Sequence, residues 1–240
     1  MKKILLFILI IILVLATGVT LAAGYVGLVP GLSNVMVKQR DLGIKPDPQQ
    51  VVEINSQLGH EVQLSSESLP YMGQPHYEGS TEISASFSEQ QVTSVLDSWA
   101  RNWAITPFSH PQVKINPDGT AEASFILKIQ PAIALAKQLG YSDEQIATAS
   151  KYATFIQGDL PVYAAGAVSV IDNQVSLTMP QLQIGNVSVP ADITSQIVGA
   201  VEDAVERRIG QVTNLDVKKL DLNGGKLNIE GTVPQVEKGE

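Results

Sequence analysis

The hydrophobic pattern opens with one unbroken stretch: from Ile4 to Ala23 no charged residue occurs, and about 20 predominantly apolar residues suffice to cross the hydrocarbon core of a bilayer as a helix. A run this long is apolar on every face, unlike the one-sided stripe of a surface helix. Lys2 and Lys3 precede it and favour a cytoplasmic N-terminus with the rest of the chain outside, while Lys38 and Arg40 on the far side pull the other way. Leu21-Ala22-Ala23 before Gly24 resembles a processing site, so a cleaved signal peptide is the alternative to a single-pass anchor. The stretch exceeds the roughly 7–15 apolar residues usual in a signal, which favours an anchor over residues 1–24. Under either reading the remainder leaves the cytoplasm.

Beyond Gly24 the pattern breaks into short periodic blocks. Residues 25–84 mix Gly, Pro and isolated charges and read as a juxtamembrane linker carrying one short helix. Asp47 can cap that helix, Pro48 suits its first turn, Gln50 stands where a capping box needs it and Gly59 ends it. Val51, Ile54 and Leu58 share its apolar face. The stretch from Gly59 to Ser86 reads as loop with an edge strand.

From 85 to 235 a helix and a hairpin alternate three times. Ser88 and Gln91 form a capping box ahead of Val92, Val95, Leu96, Trp99 and Trp103 at helical spacing. Val113–Ile115, the turn Asn116-Pro117-Asp118-Gly119 and Ala121–Ile129 predict a hairpin. Ser142 and Gln145 open a second helical block with Ile146, Ala149, Ala153 and Ile156 on one face. Val162–Ile171 and Val175–Ile184 predict a second hairpin whose apolar parity changes near Pro180-Gln181, so a register slip is expected there. Ala191–Arg208 is the best amphipathic helix, with Ile193, Ile197, Val198, Val201, Val205 and Ile209 opposed to Glu202, Asp203, Glu206 and Arg207. Leu215–Leu222, Asn223-Gly224-Gly225 and Leu227–Val233 predict the last hairpin, and residues 236–240 read as a charged tail. This order gives an α+β fold, a curled antiparallel sheet with long amphipathic helices on one side.

Composition then removes whole classes of chemistry. A net charge of −8 with no basic run longer than a pair argues against nucleic acid as a partner. With no cysteine in the chain, thiol nucleophiles, disulfides and Cys-based metal sites drop out. His60, His76 and His110 are the only histidines, all in Pro/Gly-rich surroundings, without metal-binding spacing and without a Gly-x-Ser-x-Gly elbow. Asp143-Glu144 and Glu202-Asp203-Glu206 read as solvated helix positions, and Asn223-Gly224-Gly225 as a turn, not a phosphate cradle. No metal or cofactor is expected, and no catalytic residue is assigned.

Three segments carry a family resemblance: the Phe87-Ser88-Glu89-Gln90-Gln91-Val92 helix opening, the double strand Val162–Val189 leading into the Ala191–Arg208 helix, and the closing Leu215–Val233 hairpin. Over residues 85–235 the chain resembles the YpmS-like and LmeA-like membrane-anchored envelope proteins, whose domains are similar to TULIP-type lipid-binding folds. The block Pro131–Gln157 and the segment 25–79 depart from that pattern. The resemblance implies a non-catalytic domain that binds or shuttles an envelope lipid or lipid-linked molecule. A curled sheet wrapped on a long helix would line an apolar interior with Trp99, Phe125, Leu127 and Ile129, then Val175, Leu177 and Met179, then Ile197, Val201 and Val205, and finally Leu227 and Ile229. The same side chains could instead fill a solid core, and the domain would then be a scaffold recruiting another envelope protein. Membrane lipid is the expected partner, and oligomeric state is left open.

Overall fold

The computed structural model of the chain describes residues 38–64, 75–147 and 159–239. The expected anchor and Ala149, Ala153 and Ile156 lie outside them. No helix among the described residues is long and apolar enough to cross a membrane.

Helix starts obey the local capping chemistry. Helix α1 (Pro48–Leu58) begins at Asp47, whose Oδ1 accepts the Gln49 amide at 2.9 Å, and ends at Gly59 in the left-handed region with φ 61°. Gln50 does not complete the box but donates to Glu53 Oε2 at 3.0 Å. Helix α2 (Glu89–Asn102) has the full reciprocal box between Ser88 and Gln91. Helix α3 (Ile129–Gln138) starts at a residue expected to end a strand; Pro131 falls in its first turn, where no amide donor is missed. Ser142 and Gln145 exchange the same pair of bonds, at 2.9 and 3.2 Å. Helix α4 (Ala191–Gln211) is the longest among the described residues, at 21.

The strands are β1 (Glu61–Leu64), β2 (His76–Glu78), β3 (Thr81–Phe87), β4 (Phe108–Ile115), β5 (Ala121–Leu127), β6 (Leu160–Ile171), β7 (Gln174–Ile184), β8 (Val187–Ser188), β9 (Asp216–Asp221), β10 (Leu227–Val233) and β11 (Val236–Gly239). The large sheet runs β3-β10-β9-β6-β5-β4, with β7 on the other side of β6 and β8 on β7, and all its pairs are antiparallel. Long β6 and β7 are its spine. A small sheet, β1-β11-β2, contains one parallel pair. The sequence boundaries therefore shift. Part of the expected linker belongs to the fold, since β3 pairs along its whole length with β10. The expected charged tail is β11, the central strand of the small sheet; pairing on both sides holds a segment whose charged side chains disguise it.

Three register shifts bend the large sheet. One is the expected slip, where Met179 and Pro180 together stand opposite Gly166, between the pairs Ala165↔Gln181 and Ala167↔Thr178. Pro180 has no amide to give a ladder, and a Cβ on Gly166 would run into the Thr178 carbonyl. The second lies at Gly231, where a Cβ would meet the Asp216 carbonyl. At the third, His110 and Pro111 stand opposite Phe125, with His110 at φ 52°. Where the β6–β7 tip meets α4 and β9, Val170, Ile209 and Val217 are buried together, with Val175, Leu215, Leu220 and Ile229 packed on them.

Two glycines should respond oppositely to alanine. Gly166→Ala forces the bulge apart and costs about 1–3 kcal/mol, whereas Gly199→Ala, in the middle of α4 with open space around its Cβ position, adds about 0.5–1 kcal/mol of helix stability. Thermal unfolding of both variants decides it, and an unchanged melting temperature for Gly166→Ala would remove the bulge argument.

Candidate functional site

An edge strand has outward amides that need acceptors. Along β7 these come from α4, which runs antiparallel to the strand: Glu206 Oε1 accepts the Val175 amide at 2.9 Å and Glu202 Oε1 accepts the Leu177 amide at 2.8 Å. Four residues rise about 6 Å on a helix and two rise about 6.8 Å on a strand, so side chains at i and i+4 meet amides at i and i+2. The β4 edge is sealed in the same way by α2. Glu89 Oε2 accepts the Ile115 amide at 3.1 Å, and the Thr93 hydroxyl accepts the Val113 amide at 2.9 Å while facing the Val113 carbonyl at 3.3 Å. Thus α2 and α4 lie along the sheet's edges. Glu202 and Glu206, read from the sequence as solvated, are edge acceptors.

The neighbouring acid has its own partners. Tyr141 Oη donates to Asp203 Oδ2 at 2.5 Å, and Arg207 donates to the same oxygen at 2.9 Å while its guanidinium lies 4.6 Å from the Tyr141 ring centre. Burial, with the Asp203 carboxylate adding to it, pushes the Tyr141 hydroxyl up to about 12. The Tyr141 bond, then Arg207, holds the Asp203 carboxyl below its ordinary value.

With its carboxylates committed to β7, α4 turns part of its apolar stripe outward, while Ile209 stays in the buried cluster and Val198 is half-buried. Ile193 is 46%, Val201 38% and Val205 40% exposed, and Ile197 between them is half-buried. The other expected lining residues divide. Trp99 is 51% exposed. Phe125, Leu127, Ile129, Leu177, Met179 and Leu227 are half-buried, and Phe125 meets Phe108 edge to face with ring centres 6.0 Å apart. Val175 and Ile229 pack on the buried cluster. A groove of about 400 Å³ between the end of α1 and β3 includes none of them. These side chains are therefore not gathered around that space, and those on α4 form an open strip.

The segment leading away from the expected anchor crosses one sheet face. The Leu42 amide donates to Gln112 Oε1 at 2.8 Å, the Ser124 hydroxyl to the Arg40 carbonyl at 2.7 Å, and Arg40 Nη2 to Gln183 Oε1 at 3.0 Å. The Arg40 guanidinium lies 3.5 Å over the Tyr163 ring centre, and Gln39 Nε2 donates to the His110 carbonyl at 2.7 Å. Gln112, Ser124, Tyr163 and Gln183 are successive cross-strand partners, a single polar row over β4, β5, β6 and β7. The adjacent row on the opposite face, Val113, Ala123, Ala164 and Leu182, is apolar.

The histidines serve the framework or stand exposed. His60 Nδ1 is 2.8 Å from the Pro234 carbonyl and Nε2 is 3.6 Å from Glu237 Oε2, tying the start of β1 to the β10–β11 corner. The Glu237 carboxylate raises the His60 pKa from 6.5, against the opposing effect of burial. His76 and His110 are exposed. Among the described residues no group of three or more acidic or histidine side chains is arranged to hold a metal. Comparison with family models, curated proteins and solved structures finds no match for the chain.

Glu202→Ala with Glu206→Ala removes both acceptors from β7. Each of these charge-assisted bonds contributes about 1.5–3 kcal/mol, so the Val175 and Leu177 amides should exchange with deuterium about tenfold or more faster; unchanged exchange would mean that α4 does not seal the edge. His60 supplies a pH signature. Its folded pKa lies above the unfolded 6.5, so its stabilising contribution is complete below pH 6.5 and disappears as pH rises through the folded value. Over that interval the melting temperature of the wild type should fall relative to Glu237→Gln, and parallel curves would exclude the pair.

Proposed function

We propose that this chain is a membrane-anchored extracytoplasmic protein whose domain binds or shuttles an envelope lipid or lipid-linked molecule without covalent chemistry. The observation that carries this reading is the outward strip Ile193, Ile197, Val201 and Val205 on α4, about 18 Å of helix. Such a strip takes up acyl chains by removing apolar area from water, and it needs no basic headgroup contact from a chain of net charge −8. The lipid is thus received on an open surface. The resemblance to YpmS-like and LmeA-like proteins supports the same reading. An anchor at residues 1–24 would keep the strip close to the bilayer, because Gln39 is fixed to the sheet and the chain from Ala23 to Gln39 spans at most roughly 55 Å. The competing scaffold reading is favoured at Val175 and Ile229, which pack on the buried cluster.

The domain beginning at Lys38, mixed with vesicles of envelope lipids and reisolated, should carry lipid by native mass spectrometry. Val201→Asp with Val205→Asp, both partly outward-facing, should lower uptake of a fluorescent fatty-acyl probe about tenfold or more while a cooperative melt is retained. A domain that retains no lipid and takes up no probe sinks the lipid reading, and equal uptake by the double variant moves the site away from α4.

A further inference from the structure

The large sheet has three free margins, and helix side chains seal two of them. Glu89 and Thr93 cover β4, and Glu202 and Glu206 cover β7. The third margin is β3, paired with β10 on one side. Among the described residues, no strand and no side chain meets the backbone groups on its other side. The C-terminal end of α1 lies beside that margin but leaves a groove of about 400 Å³, lined by residues 56–59 of the helix end and 81–85 of the strand. Consecutive β3 residues of both parities line it, so the groove follows the edge of the strand and not one face. An unsealed edge bordered by a groove is the geometry in which an extended peptide adds a strand.

We infer that this groove takes an extended basic segment of a partner protein as an added strand beside β3. Backbone hydrogen bonds would supply the affinity, and the half-buried Ile83 and Ala85 give shallow seats for alternate side chains. Charge selects the segment. Glu82 is the only charged residue lining the groove; Glu230 stands opposite Ser84 on the neighbouring strand but faces Lys219 of β9 on its other side, so Glu82 carries the selection. The last turn of α1 contains no basic residue, and no cationic side chain lines the groove. The same charge opposes a second copy at this edge, because self-pairing would bring Glu82 of both copies to one seam in a chain of net charge −8. Nothing in this proposal depends on whether the domain carries lipid.

The full-length chain in detergent micelles is titrated with a fluorescein-labelled Lys-Val-Lys-Val-Lys-Val-Lys-Val peptide, with its Glu/Val counterpart, and with Lys/Val peptides N-methylated at alternate residues in either register. The expected result is saturable binding of the Lys/Val peptide that slows amide exchange at residues 81–85. Binding should weaken about tenfold or more with N-methylation in one register. Glu82→Lys, at an exposed position, should weaken the Lys/Val peptide and admit the Glu/Val peptide. Three results would each overturn the inference: no binding, binding indifferent to N-methylation in both registers or to Glu82→Lys, and protection mapping to α4 instead of β3. Protection of residues 81–85 that grows with protein concentration without peptide would assign the edge to a second copy.

Discussion

The edges of an open sheet carry amides that must find acceptors, and the match between helical and strand spacing meets this need twice. Two side chains one turn apart on a helix reach two outward amides on a strand, so Glu89 and Thr93 stand over Ile115 and Val113, and Glu202 and Glu206 over Leu177 and Val175. A buried amide left unpaired costs about 1–3 kcal/mol, a large fraction of the stability of a single domain. The two long helices are therefore fixed at the margins of the sheet.

That constraint explains why α4 contradicts its own hydrophobic pattern. Val201 and Val205 each precede a sealing glutamate by one position, about 100° round the helix, so the helix cannot give both the valines and the glutamates to the sheet. Burying the exposed part of each valine would gain roughly 1 kcal/mol. Charge-assisted hydrogen bonds contribute about 1.5–3 kcal/mol each and leave no orphaned amide. The carboxylates win, and an apolar strip is left facing out.

What the sequence discloses is local. The capping boxes at Ser88 and Ser142, the stop at Gly59, the turn at Asn116–Gly119 and the slip at Pro180 could be read because each depends on residues within a few positions of one another. The edge seals could not, because a glutamate that accepts a strand amide is spelled like one that faces water, and only the pairing of β7 tells them apart. Nor could the polar row, whose members Gln112, Ser124, Tyr163 and Gln183 lie in different strands and become neighbours only through register. Strand β11 escaped for a related reason: its hydrogen bonds come from β1 and β2, and Val236-Glu237-Lys238 carries too little apolar alternation to announce a strand. For the expected lining residues on α4, the pattern could not say which way the helix would turn.

The strap at residues 39–43 gives the domain a direction. It occupies the polar row on one sheet face, and its Arg40 side chain crosses Tyr163 to end on Gln183 of β7. Strand β7 is also the strand that α4 seals, but the strap itself lies over β4 and β5, where Gln39 meets the His110 carbonyl and Leu42 meets Gln112, so only the Arg40 side chain reaches the margin that carries Ile193–Val205. Strand β3 is a separate margin, at the end of the β10-β9-β6 path. The edges sealed by helix side chains and the edge that no described residue seals thus fall on different strands.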